Sequence, residues 1–385
     1  MGIPIVIGGF GAYEGLKLAV ISLLLFLIVF WCSIFPSSKP FFEYQKGLII
    51  VIGVMFSVFG IHVLQGAQVL VEFFGNQPFF MGFYSFCLLG VLVMYGSGLT
   101  TKEYNFSIRA SFAALFFVSL YAVVQKIGLD PIEYGTSFGE SRVFSTIGNP
   151  NSLALYHLLF LPIVLLGQNQ RWKWLVGFVM LGIIFITGSL SLFFIACLFY
   201  AGALCYVAGA PKWWYIFCLL FLGITGLQWI LLSQGTSDDK YLSLLTRLTI
   251  WGESLWYLVQ HPSTLLWGTP QASLLTYLNE NRSSALGNYI PRDFILLHLH
   301  NTWLDIFFKF GIFGLWGIGY GLRIWYRKMR FENNLVFEST LVIAIFAGCF
   351  HHFEIVHWLV LLLVLLVGKN TRPPVKLTKK LRLPT

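Results

Sequence analysis

The chain has 385 residues, of which 57% are hydrophobic, 18% aromatic and only 11% charged, with a formal net charge of +9. Soluble globular chains carry about 45–50% apolar and about 25% charged residues, so this chain lacks the charge to cover a water-facing surface. Disorder, a coiled coil and a disulfide-stapled secreted domain are excluded on the same count, and a polytopic membrane protein remains.

A spanning helix needs roughly 20 apolar residues, and runs of that size recur from end to end. They predict spans over 15–35, 48–70, 79–99, 106–127, 151–167, 174–188, 190–208, 213–232, 302–322, 337–350 and 355–368. The last two are short and read as a broken hairpin, which puts the count at 11–12. The expected fold is an all-α polytopic bundle and not an outer-membrane barrel. Residues 1–385 form one membrane domain, with 233–300 an inserted extracytoplasmic helical lobe and 369–385 a basic cytoplasmic tail. The first strong apolar run is long enough to span, so no cleavable signal peptide is expected.

Lys and Arg set the orientation. Lys39, Lys46, Lys102, Arg109, Arg171, Lys173, Lys212, Arg323, Arg327, Lys328, Arg330 and the tail fall on one side, which holds seventeen of the 25 basic residues. Lys17, Lys126, Arg142, Lys240, Arg247, Arg282 and Arg292 fall on the other, and Lys309 lies inside a span. The first side is therefore cytoplasmic. The loop 128–150, the lobe 233–300 and the turn 351–354 share the outer face. Basic residues at helix ends serve topology and anionic lipid rather than nucleic acid, for which no basic extramembrane face is large enough. The six cysteines sit in apolar runs and read as small buried hydrophobes.

Within the lobe, Leu244, Leu248, Trp251, Leu255 and Leu258 form one helical stripe that Pro262 ends. That helix lies on the bilayer or caps the bundle, with Arg247 beside the stripe at the water–lipid boundary.

Five polar features can carry chemistry. Arg142 leads into the Gly148-Asn149-Pro150-Asn151 turn, whose Asn side chains can cap the following helix; the arginine is either solvated or held over the bundle mouth to bind an anion. Arg247 at headgroup depth either snorkels to lipid phosphate or forks onto a substrate phosphate. His298, His300 and Asn301 stand at the entry to a span, as a polar cap or as a general base with a hydroxyl-orienting amide. His351, His352 and Glu354 form a polar knot on the same face, which with His298 and His300 could hold a metal ion, although no two of them have the i, i+4 spacing of a helical metal pair. Asp305 and Lys309, four apart within a span, most simply pair with each other, with a proton relay as the alternative. Phosphate-loop, serine-elbow and zinc-protease motifs do not occur, which argues against ATP-driven transport and zinc proteolysis.

In order, the segments Gln125-Lys126-Ile127-Gly128-Leu129-Asp130-Pro131, Arg142 with Gly148-Asn149-Pro150-Asn151, Thr246-Arg247-Leu248-Thr249-Ile250-Trp251, Gln260-His261-Pro262, Trp267-Gly268, His300-Asn301-Thr302-Trp303-Leu304-Asp305 and Gly311-Ile312-Phe313-Gly314 resemble the bacterial O-antigen ligase and O-antigen polymerase superfamily. The resemblance covers about residues 120–320. It implies a multi-span bundle of the GT-C-like, lipid-carrier-dependent kind in the bacterial inner membrane. The implied reaction is inverting and metal-independent, without a cofactor. It moves a glycan from undecaprenyl pyrophosphate to a hydroxyl of lipid A–core on the periplasmic face, or, in a polymerase, to another carrier-linked unit. A transporter or lipid flippase is the reading from a different class, with paired inverted repeats and mid-membrane ionisable residues as its signs. His300 matches the family's essential histidine and Arg247 an arginine of its outer loop. A neutral His300 would take the acceptor proton, and Arg247 with Arg142 would stabilise the leaving pyrophosphate. The chain departs from the family at Leu190, where many members carry arginine, so that Arg142, Arg282 or Arg292 would have to serve. It departs again at Lys309, where many carry glutamate. Glu354 stands where an acidic residue is common.

Overall fold

The computed structural model describes residues 45–74, 83–87, 101–129, 143–147, 149–167, 172–209, 223, 238–280, 299–329, 335–351, 353, 357–358 and 360–361. Among these every regular element is helical. In chain order they are α1 (Gln45–Leu64), α2 (Val69–Phe74), α3 (Thr101–Lys126), a 3-10 turn (Ser145–Ile147), α4 (Pro150–Leu166), α5 (Lys173–Ile186), α6 (Leu190–Val207), α7 (Asp238–Gln260), α8 (Ser263–Trp267), α9 (Gln271–Glu280), α10 (Thr302–Met329) and α11 (Leu335–Phe350). The span expected over 15–35 and the tail 369–385 lie outside the described residues, and those over 79–99, 213–232 and 355–368 are described only in part. Phe106–Lys126 and Leu190–Val207 are long and apolar enough to cross a membrane; Ile49–Leu64, Pro150–Leu166, Lys173–Ile186 and Glu338–Cys349 are apolar but shorter.

α4 is the central helix. Its sequence is apolar on every side, the pattern of a helix surrounded by protein, and 15 of its 17 residues are buried. Asn149 accepts the Asn151 N–H at 2.9 Å and Pro150 occupies the first turn, so the Asn-Pro-Asn segment starts the helix as its chemistry dictates. Around α4 pack Leu115, Val118 and Ala122 of α3, Met180 and Ile184 of α5, Leu192, Ala196 and Phe199 of α6, and Ile343 and Ala347 of α11. A polar tie crosses the same core: Ser119 Oγ lies 2.8 Å from His157 Nε2, and His157 Nδ1 donates to Leu153 O at 2.9 Å. The outward faces are apolar as well. Phe116 and Phe117 of α3 and Phe178 and Phe185 of α5 are exposed, apolar surface of the kind that, where contiguous, marks a membrane or partner contact. Cys205 is exposed and Cys87, Cys197 and Cys349 are half-buried, all free thiols, in place of the buried positions expected.

α1 lies along α10. Val51, Met55 and Val58 meet Phe310, with Phe83 between them. A Cβ on Gly314 would stand 3.2 Å from Val58 Cγ2, and one on Gly317 2.6 Å from Val54 Cγ2. These small residues let the two helices approach closely.

α10 is not one straight helix. Gly311 has φ 58° and ψ −176°, which breaks it in two. The break is filled by the chain around α8. Thr269 N–H donates to Phe308 O at 2.7 Å, replacing the helical partner that the break removes. Gly268, at φ 81°, lies so close that a Cβ there would stand 2.7 Å from the Lys309 carbonyl carbon. Trp267 stacks on Phe313 with ring centroids 4.8 Å apart. The Trp-Gly and Gly-x-x-Gly segments are thus the two halves of one backbone-on-backbone contact.

The lobe helix α7 buries a line beside the expected stripe. Its buried line is Ile250, Ser254 and Tyr257, while Leu248 and Leu255 of the expected stripe are exposed and Trp251 and Leu258 are partly buried. Arg247 stands one turn before Ile250 and Trp251, half-buried between the inward line and the stripe.

Candidate functional site

At one end of the bundle several helix ends are bonded to one another among the described residues. The start of α10 is bonded to the end of α11: Thr302 donates both N–H (3.2 Å) and Oγ1–H (2.7 Å) to His351 O, and Thr302 Oγ1 accepts the Phe353 N–H at 2.8 Å. His351 Nε2 lies 3.1 Å from Ser191 Oγ in the first turn of α6. His357 Nε2 donates to Ser152 O at the first turn of α4. Ser145, at φ 49°, bonds through N–H to Gln125 Oε1 at 2.6 Å and through Oγ to Val118 O, which ties the approach to α4 onto the end of α3. His351 is therefore a buried strut between helices.

His300 stands at the centre of this end. It is half-buried, and its φ of 56° puts it in the left-handed region, which side chains with a Cβ rarely occupy. Strained backbone of this kind persists where the surroundings over-determine it and clusters at functional sites. On one side of it, Leu299 N–H donates to Asp305 Oδ1 at 3.1 Å and Leu299 O accepts from Trp251 Nε1 at 2.9 Å. On the other, Asn301 Oδ1 accepts the N–H groups of Trp303 and Leu304, both at 3.0 Å. Asn301 is the helix cap, the first of the two roles expected of it.

Arg247 is carried by the helix that bonds to the residue before His300. Trp251, one turn further along α7, reaches the residue before His300. Burial pulls the Arg247 guanidinium down from its ordinary range, because desolvation penalises the charged form; arginine nevertheless keeps its proton in proteins. A half-buried guanidinium and an imidazole held over one end of a helical bundle can respectively bind a phosphate and move a proton.

Asp305 is a neighbouring charge to Lys309, as expected, but each has another partner as well. Asp305 is occupied with Leu299, and Lys309 faces Glu72 of α2, Nζ to Oε1 4.0 Å. Glu72 Oε1 also takes His62 Nδ1 at 2.8 Å. Lys309 Nζ lies 4.9 Å from the Phe83 ring centroid and 5.9 Å from that of Phe86. His62, Glu72 and Lys309 are all buried. The sequence offered one hint of this triad, an acidic residue and a histidine beside an apolar run, without saying which distant residue they meet. His62 Nε2 and Trp358 Nε1 are buried without a hydrogen-bond partner among the described residues.

Arg142, Arg292, His298, His352 and Glu354 lie outside the described residues. Among the described residues no three His, Cys, Asp or Glu side chains are grouped to hold a metal ion. Compared with protein-family models, curated proteins and solved structures, the chain matches none.

Proposed function

We propose that this chain is a multi-pass protein of a bacterial inner membrane that transfers a glycan from a polyprenyl pyrophosphate to a hydroxyl on the outer face, as an O-antigen ligase does with lipid A–core. The observation that carries the reading is the meeting of two separated sequence segments: Trp251, one turn after Arg247, bonds to the residue before a left-handed His300. The exposed aromatic faces of α3 and α5 support a lipid surrounding. His300 is the general base that takes the acceptor proton as the hydroxyl oxygen attacks the anomeric carbon. Arg247, with Arg142, Arg292 and His298 as further candidates, holds the departing pyrophosphate, whose charge grows as the glycosidic bond breaks. One displacement inverts the anomeric centre. Lys309, where the resembling family carries glutamate, is committed to Glu72 and not to this chemistry.

The test uses purified protein in nanodiscs with EDTA, a polyprenyl-pyrophosphate oligosaccharide and a lipid A–core acceptor, with transfer read by gel mobility. Wild type is expected to transfer and His300→Ala to fail. Lengthening of the donor glycan instead would make the chain a polymerase. Undiminished transfer by His300→Ala would remove His300 from the chemistry.

One observation favours a second class, a lipid or solute transporter. α10 is discontinuous at Gly311, and the buried His62–Glu72–Lys309 triad stands beside the break, an arrangement that transporters use for ion coupling. Absence of transfer with every acceptor, together with proton-coupled uptake into proteoliposomes, would establish it.

A further inference from the structure

We propose that Trp251 and Asp305 are positioning residues that clamp the backbone of Leu299, the residue before His300, an inference that rests on His300 being the catalytic base. Leu299 is 1% exposed, packed with Ile250, Tyr257 and Phe308. Both of its backbone polar groups end on side chains: its N–H on Asp305 Oδ1 and its C=O on Trp251 Nε1. Buried backbone groups require such partners, and here neither partner is another backbone group. The residues after His300 are pinned as well, by the Asn301 cap and by Thr302 on His351 O. With its neighbours fixed on both sides, His300 has its left-handed torsions imposed on it.

The two clamps do different work. Asp305 is local, at the first turn of α10, and holds Leu299 as a helix-entry acceptor. Trp251 is remote. It belongs to the helix that carries Arg247, so its N–H sets where the proposed phosphate-binding arginine stands relative to the proposed base. Transfer requires both at once, with the hydroxyl within hydrogen-bond reach of the imidazole while the pyrophosphate is held.

This assignment separates Asp305 from the two roles that its sequence position suggests. As Lys309's partner or as a proton relay it needs its charge or its proton. As an acceptor for Leu299 N–H it needs only an oxygen, which asparagine supplies. In the nanodisc assay, Asp305→Asn is expected to keep kcat within about threefold of wild type, while Asp305→Ala and Trp251→Phe lower kcat about 10–100-fold, the scale of a misplaced catalytic group. Donor KM is expected to hold in Asp305→Ala and to rise in Trp251→Phe. In a His300→Ala background Asp305→Ala is not expected to lower residual transfer further, because it acts through His300, whereas Trp251→Phe is expected still to raise donor KM through Arg247.

A second readout needs no turnover. The rate at which diethylpyrocarbonate modifies His300, followed by peptide mass spectrometry, is expected to rise in Asp305→Ala and Trp251→Phe and to stay at the wild-type rate in Asp305→Asn. Loss of transfer in Asp305→Asn equal to that in Asp305→Ala would overturn the clamp in favour of a charge role. Identical His300 modification in all four proteins would overturn it whatever the activity. Wild type without transfer, but with the expected modification pattern, would leave the clamp standing and remove the catalytic reading instead.

Discussion

Replacing Lys309 by methionine removes the ammonium that faces Glu72 while keeping a long apolar side chain against Phe83 and Phe86. Nζ and Oε1 are 4.0 Å apart and the two side chains are 6% and 1% exposed, so solvent screens them little. At an effective dielectric near 20, unit charges at that distance attract by about 4 kcal/mol. Removing one member of a buried pair typically costs about 3–5 kcal/mol, because the other charge stays behind unpaired. The cation–π contacts add roughly 0.5–2 kcal/mol, part of which a methionine thioether regains on the same rings. The expected loss for Lys309→Met is therefore about 3–5 kcal/mol. Glu72→Gln/Lys309→Met should recover most of it, since no charge is left and the Gln oxygen still accepts from His62. Equilibrium unfolding in dodecylmaltoside–SDS mixed micelles, followed by tryptophan fluorescence, measures both. A single variant within about 1 kcal/mol of wild type, or a double variant whose loss is the sum of the two single losses, would refute the coupling.

Gly268→Ala and Gly311→Ala should each lower the melting temperature. A Cβ on Gly311 would stand 2.5 Å from Leu266 O, and overpacking of about 1–3 kcal/mol adds to about 1–2 kcal/mol for the left-handed backbone. Gly182→Ala, with nothing within 4 Å of the new Cβ, should instead gain about 0.5–1 kcal/mol from helix propensity, and the same melts check it. Thr302→Val leaves the buried Phe353 N–H unpaired and should cost about 1–3 kcal/mol, measurable by the micelle titration. Arg247→Lys keeps the charge but loses the planar fork, so donor KM should rise in the transfer assay; an unchanged KM would take Arg247 out of phosphate binding.

Much of the helical scaffold was legible because long apolar runs admit few alternatives. The Asn149 and Asn301 caps were legible too, since a short polar side chain before an apolar run has one obvious use. The inward line of α7 was not, because apolar periodicity marks a face without saying what that face meets, and the exposed residues of α7 are apolar as well. Ser254, buried with its hydroxyl bonded to Ile250 O at 2.7 Å, shows that a polar residue can occupy the inward line. The break at Gly311 escaped for a different reason. Gly-Ile-Phe-Gly reads as continuous apolar helix, and the contact that bends it comes from Leu266 and Gly268. Lys309 was assigned to Asp305 because a helical neighbour is the only partner that spacing reveals. Glu72 reaches it through tertiary packing alone.

A straight helix of 28 residues would be about 42 Å long at 1.5 Å per residue, well over the roughly 30 Å of a hydrocarbon core. The break at Gly311 divides that length unequally. Residues 312–329 extend for about 27 Å on one side of it, while 302–310 form a short pedestal on the other. Asp305 and Lys309 belong to the pedestal. His62, in the last turn of α1, reaches the same height from the other side. The ionisable groups are thereby gathered on the short side of the break, beside α8, and where they stand along α10 follows from a single glycine.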